Sequence, residues 1–150
     1  MIQHGYRPAE FQYDLLATAR DRFGEANVRR ALAAPTYVFA KFYHGMLPPP
    51  RPGDPPYSPP MALLMRENGQ WFAATSAGFR PAKAETVAKL DALLADRAFW
   101  ATPNWTGPGC TDAGASLLML KVPNRAEIIR HGTCGETQPT EYFVRLALEA

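Results

Sequence analysis

Apolar residues recur every four positions near the start of the chain. Phe11, Leu15, Ala19 and Phe23 form one stripe, and Pro8 occupies a first-turn position where a missing amide is tolerated. That spacing predicts a helix. Gly24 stops or kinks it, and Val28, Ala31 and Leu32 supply a second short helical face ending before Pro35. The period then changes. TYVFAKFYHG, residues 36–45, is β-branched and aromatic with both alternating faces largely apolar, which predicts a strand covered on both sides.

LPPPRPGDPPYSPP, residues 47–60, can be neither a helix interior nor a central strand, because its prolines donate no amide hydrogen. It reads as an extended surface loop within a single domain, residues 1–150. The next segment, MALLMRENGQWFAATSAG, carries the clearest local signal. Asn68-Gly69 is a two-residue turn pair, setting Arg66 opposite Trp71, Met65 opposite Phe72 and Leu64 opposite Ala73. A helix follows over residues 82–100, with Val87, Leu90 and Leu94 on one stripe that Leu93 widens.

A second hairpin is predicted from SLLMLKV and RAEIIRH, joined through Pro123-Asn124. A two-residue loop would place Leu118 opposite Ile129, and a longer loop would shift that pairing. In the tail, residues 138–150, Tyr142, Val144, Leu146 and Leu148 alternate as in a strand; the early Pro139 and Glu141 favour a last helix. The pattern as a whole predicts an α+β domain. Its antiparallel sheet has about five strands, made of two hairpins and the aromatic strand, with helices packed on one face.

Composition narrows the function classes. A chain of 150 residues, 47% hydrophobic and 20% charged, has the balance of a globular protein. Its net charge of +2, without a clustered basic face, argues against a nucleic-acid partner. YVFAKFY lacks the basic residue and glycine that a base-stacking RNA-binding strand carries beside its aromatics. The apolar runs MALLM and SLLML are far shorter than the roughly 18 residues of a membrane span. No secretory signal is visible at the start.

The concentrated chemistry lies at the mouth of the second hairpin. Cys110 and Cys134 fall near one another across its open end, three positions out of strict register, with Gly109, Gly114, Gly132 and Gly135 supplying slack. A disulfide there would close a loop of about 25 residues and contribute roughly 3–4 kcal/mol. Such a bridge implies an oxidising compartment, periplasmic or secreted. The alternative is a metal site or Cys-dependent enzyme built from Cys110, Asp112, His131 and Cys134, all ligand types, although a C-x-D half is an uncommon zinc spacing. A catalytic Cys–His–Asp set from the same residues is disfavoured, because a second cysteine so close would trap the nucleophile.

No nucleophile elbow, phosphate-binding glycine loop or H-E-x-x-H helix is present, and no cofactor is expected. Tyr57 in the proline loop, together with Trp100 and Trp105 flanking a Pro/Gly-rich segment, forms the candidate binding surface. From Met61 onward, the order of hairpin, helix ending in LLADRAFW, second hairpin and terminal PTEYFVRLALEA resembles emfourin-type protease inhibitors, small bacterial proteins that block thermolysin-like metalloproteases. That resemblance covers residues 61–150, implies an inhibitor-like function and assigns no residue an inhibitory role. The N-terminal helical segment, the proline loop and the cysteines lie outside its pattern. The sequence therefore predicts a non-enzymatic domain, stapled by Cys110–Cys134, that binds a protein or a small ligand.

Overall fold

The computed structural model describes residues 6–45, 48–105, 114–133 and 137–150. In chain order these form α1 (Pro8–Phe23), α2 (Glu25–Leu32), β1 (Thr36–Tyr43), β2 (Met61–Glu67), β3 (Gln70–Thr75) and β4 (Gly78–Pro81). There follow α3 (Ala84–Leu94), α4 (Arg97–Ala101), β5 (Ala115–Lys121), β6 (Ile128–Gly132) and α5 (Gln138–Glu149). All six strands join one antiparallel sheet in the order β4-β3-β2-β1-β5-β6. The fold is α+β. The strand beyond the expected five is β4, whose four residues include a glycine and a proline; Pro81 is accommodated because β4 is an edge.

The first hairpin keeps the register read from its turn: Arg66 pairs with Trp71, Met65 with Phe72 and Leu64 with Ala73. Asn68 and Gly69 both take positive φ, 52° and 78°. The last segment is a helix. Gly24, at φ 87°, separates α1 from α2.

Helices cover both faces of the sheet, not one. Val38, Ala40, Leu64, Leu118 and Leu120 pack with Leu90, Phe99 and Phe143 from α3, α4 and α5. On the opposite face Phe39, Leu63, Met65, Leu117 and Met119 pack with Leu15, Ala19, Val28 and Ala31 from α1 and α2. The reason is in the central strands. Their side chains alternate between faces, and in β1, β2 and β5 both alternating sets are apolar, so a one-sided helical layer would leave one set in water. The stretch expected to be one helix over residues 82–100 is also two. Asp96, in extended conformation, ends the run and caps α4 by accepting a hydrogen bond from the Ala98 amide at 3.0 Å.

The second hairpin is offset by one residue from the two-residue-loop register: Leu118 pairs with Arg130, and Ile129 with Met119. Its loop is longer, with Asn124 at φ 65° and the Arg125 amide bonded to the Val122 carbonyl at 3.4 Å. Because side chains alternate, a one-residue slip exchanges the faces of the whole strand. Ile129 therefore joins the α1 side, and Arg130 enters the core on the α5 side, only 1% exposed.

There the Arg130 guanidinium donates to the carbonyls of Phe99 (2.8 Å) and Trp100 (3.2 Å), to Thr140 Oγ1 (3.3 Å) and to Asn104 Oδ1 (3.3 Å). It also lies 4.7 Å from the Phe99 ring centroid. None of the ion pairs among the described residues includes it. Burial lowers its pKa to about 10, which leaves it charged at neutral pH. The bonds to Phe99 and Trp100 satisfy the last carbonyls of α4, so this residue fastens α4 to the β6 edge. That edge is further closed by Asn104, whose carbonyl accepts from the His131 amide at 2.9 Å, and by the Tyr6 hydroxyl on the Ile129 carbonyl at 2.6 Å.

Replacing Gly69 with Val should cost more than about 1 kcal/mol in urea unfolding, since a β-branched residue resists positive φ; an unchanged midpoint would contradict the turn. Arg130→Met should cost more than about 3 kcal/mol by stranding buried acceptors. An exposed control, Arg29→Met, should change stability by less than about 1 kcal/mol in the same measurement.

Candidate functional site

A cleft of about 320 Å³ opens where β1 ends, β5 begins and β6 gives way to α5. Phe42, Ala115 and Ser116 form one wall, Gly132 and Thr133 another, and α5 crosses with Glu141, Val144, Arg145 and Leu148. The close approach of backbones at one end depends on Gly114, which also lines the cleft. It has φ 81°, and a Cβ there would strike the Tyr43 carbonyl oxygen and lie 2.9 Å from Phe42 Cζ. α5 sits tightly on β6 as well, since a Cβ on Gly132 would stand 3.3 Å from Thr140 Cγ2.

The lining is apolar at Phe42, Val144 and Leu148 and carries one charge of each sign. Glu141 is half-buried; its pKa is raised by burial, against the opposing effects of a hydrogen bond from Thr137 Oγ1 (3.3 Å) and the positive charge of Arg145. Arg145, one turn further along α5, is exposed and makes no ion pair among the described residues. Such an arrangement can hold an apolar body and orient a polar head.

Of the three residues expected to form a binding surface, Tyr57 does not line this cleft but is linked to Phe42 in its wall through His44. Its hydroxyl accepts from the His44 amide at 3.0 Å, its ring meets the His44 ring at 6.0 Å, and His44 in turn meets Phe42 edge-on at 5.1 Å. The proline segment is held back to β1 there by the Phe42 amide on the Pro60 carbonyl. Trp100 instead closes a helix end. Its Nε1 donates to the Leu94 carbonyl at 2.8 Å, and the Arg125 guanidinium covers its ring at 4.0 Å. Trp105 is half-buried.

Cys110, Asp112 and Cys134 lie outside the described residues. His131 is on the α1 side of the sheet, stacked on Phe11 with centroids 5.3 Å apart. Its Nδ1 is buried without a hydrogen-bond partner among the described residues. Burial lowers its pKa, so the ring is neutral at pH 7. Among the described residues no cluster of His, Cys, Asp and Glu could hold a metal, and no helix is long and apolar enough to cross a membrane.

Two further polar groups lie under α1, and each is already satisfied. Lys41, 5% exposed, donates to Asp14 Oδ1 (2.9 Å) and Thr18 Oγ1 (2.8 Å), while the Tyr43 hydroxyl also donates to Asp14. The Tyr37 hydroxyl donates to Glu127, which also accepts from Gln12 Nε2. Burial, with the neighbouring carboxylate, raises both tyrosine pKa values and keeps the phenols protonated as donors. They tie α1 to the sheet and to the second hairpin.

Sequence reasoning missed Glu141 and Arg145. Their signal was a charged pair at i and i+4 on the helical alternative for the tail, invisible as a site until β5 and β6 were placed against it. The chain matches no protein-family model, no curated protein and no solved structure.

His131 gives a pH prediction. Its folded-state pKa lies below its unfolded value of about 6.5, so its contribution to stability is complete above pH 6.5 and is lost as pH falls through the folded value. Unfolding free energies from pH 7.5 downward should therefore decline less steeply for His131→Phe than for the unsubstituted protein. Equal slopes would show that the ring titrates normally.

Proposed function

We propose that this chain is a non-enzymatic binding domain whose ligand enters the cleft between α5 and the adjoining ends of β1, β5 and β6. The single observation behind this reading is the cleft itself. It combines apolar walls at Phe42, Val144 and Leu148 with Arg145 free of any ion pair among the described residues. Its volume falls at the small end of the roughly 300–1,000 Å³ of ligand pockets. The aromatic run Phe42, His44 and Tyr57 extends the contact surface toward the proline segment.

Cys110–Cys134 enters the same proposal as a staple. The last rungs of the β5–β6 ladder pair Leu117 with His131 and Ser116 with Gly132. In sequence, Cys134 follows Gly132 by two positions and Cys110 precedes Ala115 by five. Joining them would fix the rim and implies an oxidising compartment.

Two measurements test this reading. In amide-resolved NMR, titrating a small neutral apolar probe such as hexan-1-ol should give saturable shifts confined to Ala115, Gly132, Val144 and Leu148, abolished by Ala115→Trp. Non-saturating shifts spread over the surface would remove the binding reading. Intact mass with and without reductant should differ by two hydrogens. Stoichiometric zinc, with both thiols alkylated only after chelation, would replace the staple by a metal site at Cys110, Asp112, His131 and Cys134.

A further inference from the structure

Resting on the cleft reading above, we propose that the ligand is a small amphipathic carboxylate, its chain lying along Phe42, Val144 and Leu148 and its head group held by Arg145. The two charges of the cleft are not equivalent. Glu141 is half-buried toward Gly132 and already accepts the Thr137 hydroxyl. Arg145 stands one helical turn away at the exposed side, and its guanidinium has neither an ion pair nor a side-chain hydrogen bond among the described residues.

A guanidinium presents paired N–H donors that match the two oxygens of a carboxylate, and such charge-assisted bonds are the stronger kind. Beside an apolar wall, where water is partly excluded, that pairing gains over its value at an open surface. A cationic head is opposed by Arg145 and would have to compete with Thr137 for Glu141. A neutral chain leaves Arg145 unused. The small volume favours a short chain over a long lipid.

The test compares octanoate, octan-1-ol and octylammonium at pH 7, below their aggregation concentrations, by amide-resolved NMR titration of the full chain. Octanoate should bind at least ten-fold more tightly than octan-1-ol, with shifts at Ala115, Val144 and Leu148. Arg145→Gln should reduce octanoate to the affinity of octan-1-ol while leaving octan-1-ol unchanged, and Arg145→Lys should retain part of the preference. Arg145 is exposed, so an unchanged melting temperature will establish that the variants fold. Equal binding of octanoate and octan-1-ol, with no effect of Arg145→Gln, overturns the carboxylate assignment and leaves the cleft reading standing. Tightest binding by octylammonium overturns it in favour of Glu141. Absence of saturable binding by all three overturns both.

Discussion

Everything in this molecule is organised around three neighbouring strands, β2, β1 and β5, that are apolar on both faces. Tyr37 and Phe39 leave β1 in one direction while Val38 and Ala40 leave in the other, and the partner strands repeat the division. Each face demands its own cover, because a buried methylene contributes about 0.8 kcal/mol and an exposed one contributes nothing. The helices before β1 cover one side, and those after β4 cover the other. The three-layer arrangement follows from the alternation within a single strand.

The second hairpin shows how one residue of register redistributes function among side chains. With Leu118 opposite Arg130, an arginine lies among Phe99, Trp100, Asn104 and Thr140, while His131 faces Phe11 across the sheet. The buried guanidinium tolerates that position because four neutral oxygens accept its hydrogen bonds and the Phe99 ring lies beside it. Burial of a charge is costly unless its hydrogen bonds are met, and here they are met by the Phe99 and Trp100 carbonyls at the end of α4 together with the Asn104 and Thr140 side chains. The histidine, an eligible metal ligand in the sequence, has become part of the packing of α1.

The cleft arises where the layers end unevenly. β1 stops at Tyr43, β5 starts at Ala115 beside Gly114, and α5 begins against Gly132 and ends against Arg80 and Lys83. Side chains that would meet neighbours deeper in the sheet face an opening instead. Glu141 lies further inside than Arg145, which is exposed.

The sequence by itself determined the local elements: the stripe of α1, the Asn68-Gly69 turn with its pairing, the aromatic strand and the last helix. Each is written in contacts between residues close in the chain, or in the backbone demands of glycine, asparagine and proline. The two-sided burial of β1 was also legible there, although its consequence, helices on both faces, was not drawn. Tertiary structure alone decided the β5–β6 register, because Pro123-Asn124 permits more than one loop length and the choice rests on where Arg130 finds oxygens. It alone decided that Tyr57, but not Trp100, is linked through His44 to Phe42 in the cleft wall, and that Glu141 and Arg145 belong to the cleft. Those facts depend on residues distant in sequence meeting in space, and no spacing along a chain encodes which open end a helix will cross.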